Sequence, residues 1–60
     1  MAQEFYKIIY QDYRNGCRAE KRICAYNISD ALVQAKGLQY GRHDICVLYV
    51  KSIYGRCVWL

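Results

Sequence analysis

The sequence predicts an α+β fold in the order ββαββ, an antiparallel sheet with one helix packed on one face, as a single domain over residues 1–60. Three observations predict it. Asn15-Gly16 separates two runs of β-formers, a capped apolar stripe begins at Ser29, and a later β-rich run is interrupted by Tyr54-Gly55.

From Glu4 to Arg14, the residues Phe5, Tyr6, Ile8, Ile9, Tyr10 and Tyr13 suit a pleated, half-buried strand. Asn-Gly is the pair that best tolerates positive φ at both centres of a type I′ turn. With Asn15-Gly16 as the whole loop, the return strand runs from Cys17 to Tyr26. Arg14 then faces Cys17, Tyr10 faces Lys21, Ile8 faces Ile23 and Tyr6 faces Ala25. Alternation places Tyr6, Ile8, Tyr10, Ala19, Ile23 and Ala25 on the core face. Phe5, Lys7, Ile9, Gln11, Tyr13, Arg18, Glu20, Arg22, Cys24 and Tyr26 fall on the opposite face.

Ser29 is the expected helix N-cap, with Asp30 in the first turn and Ile28 stapled against Val33. Ala31, Leu32, Ala35 and Leu38 form one stripe that can cover the sheet. Gly41 is the expected left-handed residue ending the helix near Gln39 or Tyr40. The run from Asp44 to Ile53 is too continuously apolar to assign by alternation, but Tyr54-Gly55 breaks it before Arg56 to Leu60. Pairing Ile53 with Arg56 puts Cys46, Leu48, Val50, Cys57 and Trp59 on the dry face and Val47, Tyr49, Lys51, Arg56 and Val58 on the open one.

A chain of 60 residues has room for one core, and one this short buries only about 60% of the surface its unfolded form exposes, so its stability is marginal. Apolar residues make up 55% of it and proline is absent, which argues for a packed core and against disorder. No apolar run approaches a membrane span and Met1 to Tyr6 lacks a signal-peptide pattern. The expectation is a cytoplasmic protein with no membrane partner. The four cysteines, Cys17, Cys24, Cys46 and Cys57, lack the C-x-x-C pairing of zinc sites, and His43 is the sole histidine. They read as free thiols, with no metal and no cofactor.

Catalysis needs a polar constellation. Paired carboxylates, a phosphate-cradling glycine loop and an H-x-x-x-H motif are all missing, and His43, with Asp44 adjacent and Cys46 three residues on, is a weak nucleophile pair on spacing alone. The chain is therefore read as a binding protein, not an enzyme. Its net charge of +4 favours anionic partners. On the open face, aromatic Phe5, Tyr13, Tyr26 and Tyr49 are interleaved with Lys7, Arg18, Arg22 and Lys51. Rings beside cations suit stacked bases and phosphates. Tyr and Arg also mark protein interfaces, and Ile9, Val47 and Val58 on that face favour a protein partner, since bases cover them poorly. A homodimer through the open face or an edge strand would hide the same surface, and ordinary cross-strand pairing is the plain structural reading.

One stretch adds to this. S-D-A-L-V-Q-A-K from Ser29 to Lys36 after a β-hairpin, followed by V-L-Y-V-K-S-I-Y-G-R-C-V-W-L from Val47 to Leu60, resembles the small phage-encoded anti-CRISPR proteins of ββαβ-type build. The members of that family it is similar to act on type I-F surveillance complexes. The resemblance implies a non-enzymatic inhibitor that mimics or displaces nucleic acid on a host protein or ribonucleoprotein complex, blocking target DNA there and working in the host cytoplasm, with Lys36 as an interface lysine. Gly37 stands where that family has a second basic residue.

Overall fold

The structure, a computed structural model, describes residues 2–60. Its elements are β1 (Glu4–Asp12), β2 (Cys17–Ala25), α1 (Ile28–Gln39), β3 (Ile45–Ser52) and β4 (Cys57–Trp59). The strands form one sheet in the order β2-β1-β3-β4, each antiparallel to its neighbour. The helix packs on one face, over β3 and β2, so the expected ββαββ architecture is the one observed. No described helix is long and apolar enough to cross a membrane.

The core lies between α1 and the two central strands. Ile8 of β1 faces Val50 of β3, and these are the largest fully buried side chains. Around them close Tyr6, Val47 and three alanines, Ala25, Ala31 and Ala35, while Tyr10, Ile23, Ile28, Leu32 and Leu38 seal the margin. The alanines let the helix backbone come close to the sheet.

Both hairpins differ from the sequence expectation. In the first, Asp12 faces Cys17, so the loop is 13–16 and not Asn15-Gly16 alone. Asp12 Oδ1 accepts from the Arg14 amide at 2.9 Å and Gly16 N–H reaches the Asp12 carbonyl at 2.9 Å. Only Gly16 takes positive φ, at 71°, so a type I′ turn, which needs two such residues, does not form. Each pair is displaced by two residues: Tyr10 faces Ala19, Ile8 faces Lys21 and Tyr6 faces Ile23. A slip of two keeps every side chain on its face, so the expected sorting of β1 and β2 holds.

In the second, Lys51 faces Cys57, Val50 faces Val58 and Tyr49 faces Trp59, one residue out of the expected register. In addition the β1–β3 register shifts between Ile9 and Tyr10: Ile9 faces Tyr49 but Tyr10 faces Val47, leaving Leu48 without a β1 partner. This β-bulge puts Val47 and Val50 on the same side. Consequently Cys46, Cys57 and Trp59 belong to the open face, and Val47 and Val58 to the helix side, the reverse of the expectation. The Val47 amide beside the bulge donates to Gln39 Oε1 at 2.8 Å, which ties the end of α1 to β3.

The helix begins earlier than expected. Asn27, not Ser29, is the N-cap: its side-chain oxygen accepts from the Asp30 amide at 2.9 Å, and Asp30 reaches back to the Tyr26 amide at 3.1 Å. Ile28 is therefore the first helical residue and packs on the core, while Val33 is exposed, so the expected staple does not form. Gly41 has φ 71° and follows the C-cap Tyr40, as expected.

At the far end of the sheet, Arg14 bonds both oxygens of Asp12 at 3.2 and 3.0 Å and lies 3.3 Å from Asp44. Arg42 grips Asp44 at 3.1 and 2.8 Å. This chain links the first loop to the segment entering β3. The Arg14 side chain holds Asp12 below its ordinary carboxylate range, and Arg42 does the same for Asp44.

Two outcomes follow. Asn27→Ala costs about 1 kcal/mol in chemical denaturation, whereas Ser29→Ala stays within about 0.5 kcal/mol. The reverse ranking would refute the Asn27 cap. A carboxylate whose folded pKa lies below its unfolded value of about 3.9 contributes in full above that pH and loses its contribution as pH falls through the folded pKa. Tm should therefore hold from neutral pH to about 4 and drop below it. Arg14→Ala should lower Tm at neutral pH and flatten the acid drop, and an unchanged acid profile would count against the network.

Candidate functional site

The open face is ordered in rows by the strand register. One row runs Arg22, Lys7, Lys51, Cys57 across β2, β1, β3 and β4; the next runs Glu20, Ile9, Tyr49, Trp59; a third holds Arg18, Gln11 and Cys46. Phe5 and Cys24 face each other at the end. Neighbouring strands lie about 4.8 Å apart, so members of a row stand side by side.

Two features give the face its chemistry. The rings of Tyr49 and Trp59 pack as a tilted pair, centroids 4.5 Å apart and planes at 42°, and Trp59 remains 65% exposed. Toward the other edge of the sheet, between β2 and β1, the Arg22 guanidinium lies 5.9 Å from the centre of the Phe5 ring. The Lys7 ammonium is 3.6 Å from Glu20, while Arg14 and Arg42 are already paired with Asp12 and Asp44. Phe5, Lys7, Arg22, Lys51, Ser52 and Ile53 line a depression of about 360 Å³. Ile9 sits among these groups at only 7% exposure, covered by its neighbours without help from the helix.

Of the sequence-predicted residues, Lys7, Arg18, Arg22, Tyr49 and Lys51 come together on this face. Tyr13 stands just past β1, its amide donating to the Asp44 carbonyl at 2.8 Å. The Cys46 thiol beside its hydroxyl pushes the phenol above its ordinary pKa. Tyr26 lies elsewhere, in a separate depression of about 400 Å³ with Asn27, Ile28, Tyr54 and Arg56. Lys36 is in the last turn of α1 beside Gln39, Tyr40 and Leu60, on the helix side of the molecule. The structure does not join either to the open face.

Trp59 is the member that sequence reasoning misplaced. A signal for it exists in Ser52, whose hydroxyl oxygen accepts from the amides of Tyr54 and Arg56 at 3.2 and 3.1 Å. A serine at the head of a turn marks a loop that starts there, and with Gly55 at φ 86° the loop is longer than Tyr54-Gly55. That length sets the register and brings Trp59 onto Tyr49.

Among the described residues no group of three or more His, Cys, Asp or Glu side chains is placed to hold a metal ion, and the four cysteines are free thiols. In comparison with known proteins, no family model, no curated protein and no solved structure matches this chain.

Proposed function

We propose that this chain is a non-catalytic binding protein whose open sheet face takes single-stranded nucleic acid. The observation that carries the reading is the Tyr49–Trp59 pair standing one row from the Arg22–Lys7–Lys51 cations. Stacking on aromatic rings contributes about 1–3 kcal/mol per base without regard to sequence, and cations beside them hold the backbone. The apolar residues that would ask for a protein cover do not stand in the way. Val47 and Val58 lie on the helix side and Ile9 is already covered.

A second reading, a host protein or ribonucleoprotein complex bound and inhibited in the cytoplasm as the anti-CRISPR resemblance implies, is supported by exposed Phe5 and Ile53 beside the cations. Salt separates the two. With three or four phosphates neutralised by Lys7, Arg22, Lys51 and Arg18, affinity for a single strand should fall roughly 20- to 50-fold between 50 and 200 mM salt.

The test is fluorescence anisotropy of a labelled oligothymidylate and its RNA counterpart at those two salt concentrations. Trp59→Ala should weaken binding about tenfold at both, leaving the salt slope unchanged. Lys51→Ala should weaken binding and make the slope shallower. Absence of binding at the lower salt overturns the nucleic-acid reading, and salt-insensitive recovery of one host complex from nuclease-treated lysate supports the second.

A further inference from the structure

We infer that the Arg22–Lys7–Lys51 row is a site for the terminal phosphate of a nucleic-acid strand, an inference that rests on the open face being a nucleic-acid surface. Lys7 is directly opposite Arg22 on one side and Lys51 on the other. Like charges directly opposite one another across strands destabilise a sheet, so three in a row is an arrangement folding alone does not favour. One carboxylate, Glu20, approaches Lys7, and three cations facing one anion leave two positive charges unanswered.

That residue of charge selects among phosphates. A phosphodiester within a strand carries one negative charge, whereas a phosphate monoester, such as a strand terminus, carries about −1.5 to −2 near neutral pH. The row matches the monoester. Arg22, placed over the Phe5 ring, is positioned to offer its planar fork, which suits bidentate contact with phosphate oxygens. The depression that these groups line has an apolar flank in Phe5 and Ile53, which offers a continuing backbone no further cation on that side.

The neighbouring rows supply the rest of the path. Tyr49 is two residues from Lys51 on the same face of β3, or about 7 Å along the strand. A terminal nucleotide with its phosphate on the row can thus lay its base on the Tyr49–Trp59 pair. Arg18, in the third row on β2, stands where the backbone continues.

The experiment compares one oligonucleotide sequence bearing a 5′-phosphate, a 3′-phosphate or neither, by anisotropy against the intact protein. One phosphorylated form should bind at least about tenfold tighter than the unphosphorylated strand, which corresponds to about 1.4 kcal/mol. Lys51→Ala and Arg22→Ala should weaken the phosphorylated form most, bringing it level with an unphosphorylated strand that itself binds more weakly than it does to the parent, and Trp59→Ala should weaken all three strands with the preference intact. Without oligonucleotide, Lys51→Ala should have a Tm equal to or above the parent's, because a like-charge contact is removed. Equal binding of all three strands overturns the terminal-phosphate site and leaves the reading of the face standing. Absence of binding to any strand overturns both.

Discussion

Leu48 has no partner on β1, and that one extra residue decides which side of the sheet every side chain of the third strand occupies. Before it, Val47 faces Tyr10; after it, Val50 faces Ile8; both valines turn toward the helix although they are three residues apart. An unbroken strand would send one of them to the open face. The bulge lets β3 fill the core twice and still present Cys46, Tyr49 and Lys51 outward. Gln39 gives the Val47 amide a partner, so the irregularity leaves no orphaned donor there. Among the described residues no buried side-chain nitrogen or oxygen lacks a hydrogen bond.

The core built on that arrangement is small. Ile8 and Val50 are its largest fully enclosed side chains, and much of the rest is alanine, tyrosine or half-buried aliphatic. A domain of this size rarely gains more than about 3–5 kcal/mol from such a core. Peripheral ties therefore carry a larger share of stability than they would in a bigger protein. The Asp12–Arg14–Asp44–Arg42 chain binds one end of the sheet, and Gln34 joins the helix to the Cys24 carbonyl of edge strand β2 at 2.9 Å. Against so narrow a margin, a row of three cations with one carboxylate beside it is a cost to the fold.

The fold class was legible in the sequence because it depends on the number and kind of elements, which periodicity, caps and turn residues mark well. The faces of β1 and β2 were legible for a subtler reason. The Asn15-Gly16 turn pointed to the wrong loop length, but the error was two residues and alternation has a period of two. In β3 and β4 the error was one residue, compounded by the bulge, and every inference about facing in the strand segments affected was inverted. Cys46, Cys57 and Trp59 moved out and Val47 and Val58 moved in. A continuous apolar run carries no alternation to reveal such a slip. Asp12 and Ser52, small polar residues heading each loop and bonded two residues on, held the missing information. Tyr26 and Lys36 stand apart for different reasons: alternation carried Tyr26 onto the open face although β2 stops at Ala25, and Lys36, named through the anti-CRISPR resemblance, lies on α1.

Self-association through this face would have to match its own charges: a two-fold contact pairs each residue with a different residue of the copy, and Glu20 is the one carboxylate in the strand rows to meet the cations. The edges offer no easier route. β2 displays Arg18, Glu20, Lys21 and Arg22, charges that blunt strand addition, and β4 pairs over only three residues, too short a template for a stable ladder. The face carries an excess of positive charge in one row and exposed rings in the next, with Glu20 the one carboxylate in its strand rows, and the proposed single strand, alternating anionic groups with aromatic planes, would meet both.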